Sequence, residues 1–114
     1  MNYQEADQQL QGRCYDARKI ANNTWLERLD DELIGVRLHS TYIVKFRANG
    51  DVIIDSGGWR TVTTKERINR YAFADTPDGV YQEDFDWFVR MGDEVLPFRD
   101  GMTRQTRERA ELCK

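Results

Sequence analysis

Most residues with the chemistry to act on a ligand sit in or beside the stretch IDSGGWRTVTTKERIN, residues 54–69. His39 is the only histidine. As a general base it needs a carboxylate to orient it, and Asp55, on a neighbouring strand, is the conceivable partner. One histidine falls short of the three or four nitrogen and sulfur ligands of a zinc site, so the pattern calls for no metal and no cofactor. A structural hydrogen bond is the plainer role for it. Ser56 precedes Gly57 and Gly58 but lacks the leading glycine and strand-turn-helix setting of a nucleophile elbow, and reads as a turn serine. A double glycine ahead of a helix start also suggests a phosphate cradle, since helix-start amides attract anions. Trp59 to Val62 intervene, however, and no GxxxxGK[ST] pattern is present.

Two charged surfaces remain. Trp59, Arg60, Lys65, Arg67 and Arg70 combine an aromatic ring with cations, the raw material for stacking on bases and neutralising phosphates. The plain alternative is a tryptophan that plugs the core beside two glycines. Glu83, Asp84 and Asp86 alternate with Phe85, Trp87 and Phe88, a run suited to imitating a nucleic-acid backbone or docking on a basic protein. A solvated strand face explains the same residues more plainly. Segregation is marked: Arg60, Lys65, Arg67 and Arg70 stand against Glu66 alone, whereas Asp75, Asp78, Glu83, Asp84, Asp86, Asp93 and Glu94 stand against Arg90 alone. The chain as a whole carries a net charge of −3. Such blocks bear on partners and encounter rates rather than on the fold.

These side chains must be positioned by short elements. Tyr3, Ala6 and Leu10 share a helical stripe that Gly12 ends. From Lys19 onward β patterning takes over: a first strand holds Trp25 and Leu26, and the cluster Asp30, Asp31, Glu32 turns into LIGVRLH. That strand points Ile34, Val36 and Leu38 inward, with Arg37 and His39 on its outer face. TYIVKFR alternates again, with Tyr42, Val44 and Phe46 inward. A two-residue Asn49-Gly50 loop would oppose Phe46 to Ile53 and mix core with solvent positions. A three-residue loop with Gly50 in the left-handed bulge position instead pairs Phe46 with Val52 and Val44 with Ile54. It also sets Arg47 opposite Asp51. Gly57-Gly58 then ends the strand, and Thr63 to Glu66 match a capping box that opens a helix running to about Ala72, with Ile68, Tyr71 and Ala72 on one face. Tyr81 to Phe98 reads as a second hairpin in which Phe85, Trp87 and Val89 alternate with Asp84, Asp86 and Phe88. Gly92-Asp93 makes its turn, and Pro97 confines the returning strand to an edge.

The expected fold is therefore α+β: one domain over residues 1–114, a mostly antiparallel twisted sheet of about five or six strands with two or three short helices. Residues 1–17 form an N-terminal helical segment, 18–98 the sheet core with a helix inserted at about 63–72, and 99–114 a tail or short helix. At 114 residues, 39% hydrophobic and 32% charged, the composition is that of one globular domain with a core able to support itself. No apolar run reaches bilayer length, and the start lacks the basic and apolar regions of a signal peptide, so a cytosolic setting without membrane contact is expected. Cys14 and Cys113 have no metal-ligand spacing and read as free thiols rather than a terminal disulfide in a reducing cytosol.

Residues 18–71 resemble a group of small bacteriophage proteins that carry ANNT, RLH-T-IV-F and SGGWRT-TTK-RIN elements. The matching positions are Ala21 to Thr24, then Arg37 to His39, Thr41, Ile43, Val44 and Phe46, then Ser56 to Thr61, Thr63 to Lys65 and Arg67 to Asn69. PFRDGM at 97–102 also resembles the group's ending, although an aromatic is usual where this chain has Arg99. The resemblance implies a phage gene product acting in the cytoplasm of an infected bacterium, and no activity. The functional expectation is a non-enzymatic binding protein that engages a host macromolecule, with inhibition of a host defence or DNA-processing complex as its concrete form. A nucleic-acid-binding accessory protein using Trp59 to Arg70 is the alternative. A small enzyme built on His39 is the third reading.

Overall fold

Tyr3–Gln9 forms helix α1, opened by Asn2, whose side chain accepts the Glu5 amide at 2.9 Å. Its apolar stripe buries Ala6 and Leu10 completely. The computed structural model describes residues 1–74 and 76–105. After a single 3-10 turn at Gly12–Cys14 come β1 (Ala17–Ala21), β2 (Thr24–Asp30), β3 (Leu33–Leu38), β4 (Thr41–Arg47) and β5 (Asp51–Ile54). Helix α2 spans Val62–Ala72, followed by β6 (Gly79–Glu83), β7 (Asp86–Met91), β8 (Glu94–Pro97) and β9 (Met102–Gln105).

All strand pairs are antiparallel, in a six-stranded sheet of order β1-β2-β3-β4-β5-β9 and a three-stranded sheet of order β6-β7-β8. The α+β class holds, and among the described residues there are two α-helices, within the two or three expected, and nine strands in two sheets rather than about five or six in one. Alternation explains the larger sheet. Leu26, Val36, Val44 and Ile54 stand in register across β2 to β5 and are fully buried. They form one core with Ala6 of α1, with Leu10 at that helix's C-terminal cap, and with Ile68 and Ala72 of α2. The bulged hairpin expected between β4 and β5 is present: Phe46 pairs with Val52, Val44 with Ile54, and Gly50 has φ +101°.

Several local expectations are corrected. The α2 cap is Thr61, whose hydroxyl accepts the Thr64 amide at 3.1 Å, and Glu66 bonds to arginines instead of closing a capping box from Thr63. Tyr42 points away from the core because the β3–β4 register shifts between Val36 and Arg37, and Ile43 takes the buried place. The shift is a β-bulge, which turns the following side chains over. Phe85 lies in the turn between β6 and β7 instead of alternating within a strand. Residues 102–105, read as the start of a C-terminal helix or tail, form β9 against β5, where Arg104 donates to the Ala72 carbonyl of α2 at 2.9 Å. The remainder of that expected helix, and the Cys113 end of any disulfide, lie outside the described residues.

The small sheet adds Val80, Trp87 and Val89 to the same core, with Phe98 edge-on to Trp87 at 5.4 Å. Beside this apolar packing, one amide of α2 bonds to the edge of the small sheet. Asn69 donates to the Val80 carbonyl at 2.9 Å and accepts the Val80 amide at 2.7 Å, taking the place of a neighbouring strand at the β6 edge. Gly79 leaves room for this contact, since a Cβ there would lie 2.8 Å from Asn69 Oδ1. Removing the amide strands two backbone groups of a residue only 4% exposed, at a cost of about 1–3 kcal/mol. Asn69→Ala is expected to lose that stability in urea unfolding. Gly79→Ala should destabilise the wild type yet cost almost nothing further on Asn69→Ala, because the clash and the bond share one atom. Strict additivity in that cycle would show that the amide does not hold the sheet.

Candidate functional site

The stretches that carry the phage-protein resemblance meet at one end of the large sheet. Asn22-Asn23 and His39-Ser40 are the two-residue turns there, and the His39 amide donates to the Asn23 carbonyl at 2.9 Å. His39 is thus a turn residue with φ +55°, not the end of a strand face. Ser56 to Trp59 form the third turn, closed by Trp59 N–H donating to the Ser56 carbonyl at 2.9 Å. Gly57 and Gly58 both have positive φ, +61° and +83°. That is the demand of a mirror-image turn and the reason for two glycines. A Cβ on Gly57 would also lie 2.5 Å from the Thr41 methyl.

Asp100 clasps this turn from the far end of the chain. Its carboxylate accepts the Ser56 amide at 2.8 Å and the Ser56 hydroxyl at 2.7 Å, while the Gly101 amide donates to the Ile54 carbonyl at 2.8 Å. Burial pulls the Asp100 pKa up, but the Ser56 hydroxyl and amide, the Arg60 charge and the Gly58 amide together hold it below the ordinary carboxylate value. Asp55, the conceivable partner for His39, instead accepts the Gly57 amide at 2.6 Å. Between these turns and the first turn of α2 lies a cavity of about 440 Å³. Its floor is Leu38, Ile43, Ser56 and Thr64, and Trp59, 66% exposed, stands at its rim.

The five residues of the expected basic surface divide. Arg67 is drawn inward, where it donates to the Thr24 hydroxyl at 3.2 Å and pairs with Glu66. Arg70 pairs with Glu66 at 2.6 Å, an i,i+4 contact. Arg60 lies 5.3 Å from the Phe98 ring centroid and 5.8 Å from that of Trp87, and Lys65 lies 5.9 Å from Trp87. Trp59 is a rim residue, not a core plug. The cations therefore already face a carboxylate or an aromatic ring.

Glu83, Asp84 and Asp86 are brought together with Phe85 at the tip of the β6–β7 hairpin, all exposed. Asp84 and Phe85 have φ +51° and +72°, the backbone of the Gly57-Gly58 turn without its glycines. Phe85 is 92% exposed. Glu83 stands opposite Asp86 across the strands, a like-charge pair that destabilises a hairpin. Alternation groups Phe85 with Trp87 and Val89 on the face opposite Asp84 and Asp86, whereas the structure puts it in the turn. The signal that could have placed it is Asp84-Phe85 itself, two residues between alternating runs that start at Gly79 and Asp86.

On the open face of the large sheet, Glu27 accepts from Tyr42 and Arg37, each at 2.6 Å. Burial raises the Glu27 pKa, yet the bonds from Tyr42 and Arg37 and the Arg37 charge bring it below the ordinary value. Among the described residues, no group of three or more His, Cys, Asp or Glu side chains is placed to hold a metal, and no helix is long and apolar enough to cross a membrane.

A carboxylate with a depressed pKa stabilises the fold above its unfolded pKa, and that stability disappears as pH falls through the folded value. Asp100→Asn is therefore expected to melt below the wild type at neutral pH, with the gap closing as pH drops under about 4. Thermal melts across a pH series test this. A gap that persists into strong acid would mean that the clasp does not depend on the charge.

No curated protein and no solved structure matches the chain. The model of the family described as Kyanoviridae Gp96 protein matches residues 5–105, which include the turn cluster, the clasp and the hairpin tip. With nearly the whole length covered, the chain belongs to this family of phage proteins.

Proposed function

We propose that the protein is a non-enzymatic binding module that docks on a cationic host protein through the hairpin tip Glu83-Asp84-Phe85-Asp86. The observation that carries this reading is Phe85, almost fully exposed on a left-handed backbone between carboxylates. Each local choice at the tip opposes folding. A non-glycine residue held with left-handed φ costs on the order of 1–3 kcal/mol, the phenyl ring buries almost nothing, and the flanking acids repel. Violations gathered at one exposed point mark a residue kept for contact rather than for stability. An aromatic anchor ringed by negative charge fits an apolar pocket rimmed by lysine and arginine.

Cationic surfaces of this kind are what DNA-processing proteins present to phosphates, so occupying one is a direct route to inhibiting a host defence or DNA-processing complex. The geometry gives less support to nucleic-acid binding by the Trp59 to Arg70 surface, because Arg67 and Arg70 share Glu66 and Arg60 and Lys65 lie over Trp87. For catalysis by His39, the Asp55 carboxylate that would orient it is bonded to Gly57.

The test is affinity capture from bacterial lysate with wild-type and tip variants side by side, followed by titration of the captured protein. Phe85→Ala is expected to weaken the complex at least about 30-fold, the effect of an interface anchor. Glu83→Lys with Asp86→Lys should slow association and abolish its salt dependence. A partner held equally well by Phe85→Ala, or a salt-dependent affinity for DNA lost on Arg60→Ala, would overturn the reading.

A further inference from the structure

A second surface has no part in docking through the tip. The cavity between the His39-Ser40 turn, the Ser56 turn and α2 has buried apolar groups at its floor, Leu38 and Ile43, and walls that carry the hydroxyls of Ser40, Thr41 and Thr63 beside the His39 imidazole, the Thr61 hydroxyl being engaged in the α2 cap. Its volume of about 440 Å³ lies within the usual range for small-molecule sites. A hydroxyl both donates and accepts, so such a wall meets the mixed donor and acceptor edge of a heterocycle. No lysine, arginine or carboxylate is among its lining residues. Arg60, next in sequence to the rim residue Trp59, reaches across to the Phe98 carbonyl and lies against the Phe98 and Trp87 rings. A phosphate or carboxylate would find no lysine or arginine on the lining, and a purely apolar ligand would leave the hydroxyls and the His39 imidazole unmatched. The rim carries Trp59, an aromatic face open to solvent over most of its area.

We infer that this cavity takes one uncharged nucleobase, its ring stacked on Trp59 and its polar edge against the hydroxyl wall. The base comes from a free nucleoside or from an unstacked position in a single strand; the recognition chemistry is the same for both. Selectivity among bases is expected to be weak, since rotating hydroxyls adapt to either edge pattern and every base has a π face. The inference does not rest on the hairpin-tip reading.

The experiment is a titration of the full chain, followed by amide and tryptophan-indole NMR shifts, with adenosine, cytidine, glucose and a short oligothymidylate. Nucleosides are expected to saturate, moving the Trp59 indole and the Thr41, Thr61 and Thr63 amides. Trp59→Ala should weaken binding at least about fivefold, the lower end of a base–aromatic stack, and Trp59→Phe should recover most of it. Ser40→Trp, on an exposed turn, should block the mouth without unfolding the protein, and Phe85→Ala should bind nucleosides as the wild type does. Saturation by nucleosides but not by the oligomer assigns the site to free nucleosides; saturation by both assigns it to bases of either source. Saturation by the oligomer alone supports the site only if Trp59→Ala weakens it and added salt does not. Absence of saturation by every probe, glucose binding equal to that of nucleosides, or indifference to Trp59→Ala would overturn the inference.

Discussion

A single side-chain amide closes on both backbone groups of Val80 where the two sheets and α2 share one core. Without it the β6 edge would stand unpaired against a helix, and buried unpaired backbone groups are costly. Asn69 supplies the missing strand edge from α2, Gly79 clears the space for it, and Trp87 and Val89 then reach the apolar face of the larger sheet. The small sheet, the acidic tip included, is seated by that contact together with the apolar packing of Val80, Trp87, Val89 and Phe98. Arg28 performs a comparable task at the other end of the core, pairing with Asp7 at 2.9 Å and donating to the Leu10 carbonyl, so that α1 stays seated.

The molecule contains the same kind of turn twice, solved in opposite ways. At Ser56 to Trp59 two glycines meet the demand for positive φ, and the Asp100 carboxylate holds the result. At Glu83 to Asp86 an aspartate and a phenylalanine occupy the equivalent positions, and nothing in the fold rewards the phenyl ring for being there. The first turn shapes a cavity; the second displays a side chain. That contrast is why the tip is read as a contact device and the glycine turn as part of a container.

Much of the architecture was legible because period-two alternation is a strong signal when one face is buried. The β4–β5 register followed from Phe46, Val52, Val44 and Ile54 alone, and the stripe of α1 from Ala6 and Leu10. Legibility failed where non-local partners decide. A bulge invisible in the alternation of TYIVKFR turned Tyr42 outward toward Glu27. Met102 to Gln105 contain good helix formers, yet pairing with β5 made them a strand. Thr61 and Thr63 are both plausible caps by type, and only the fold chose the former. The basic surface was legible as composition, but its state was not. Glu66 sits one and four residues from Arg67 and Arg70, a spacing visible in the sequence, whereas the approach of Arg60 and Lys65 to Trp87 depends on how the second sheet docks. The tip was misread because Asp84-Phe85 lacks the asparagine or glycine that ordinarily announces so tight a turn.

The central claim is that Phe85 is retained against the interest of the fold. The most direct measurement is the unfolding free energy of Phe85→Gly, obtained from urea titration of the isolated protein. Glycine meets the backbone requirement and removes no buried surface, so a gain of about 1 kcal/mol is expected. A loss of stability of similar size would mean that the ring supports the hairpin, and the tip would then be a structural element rather than a docking anchor.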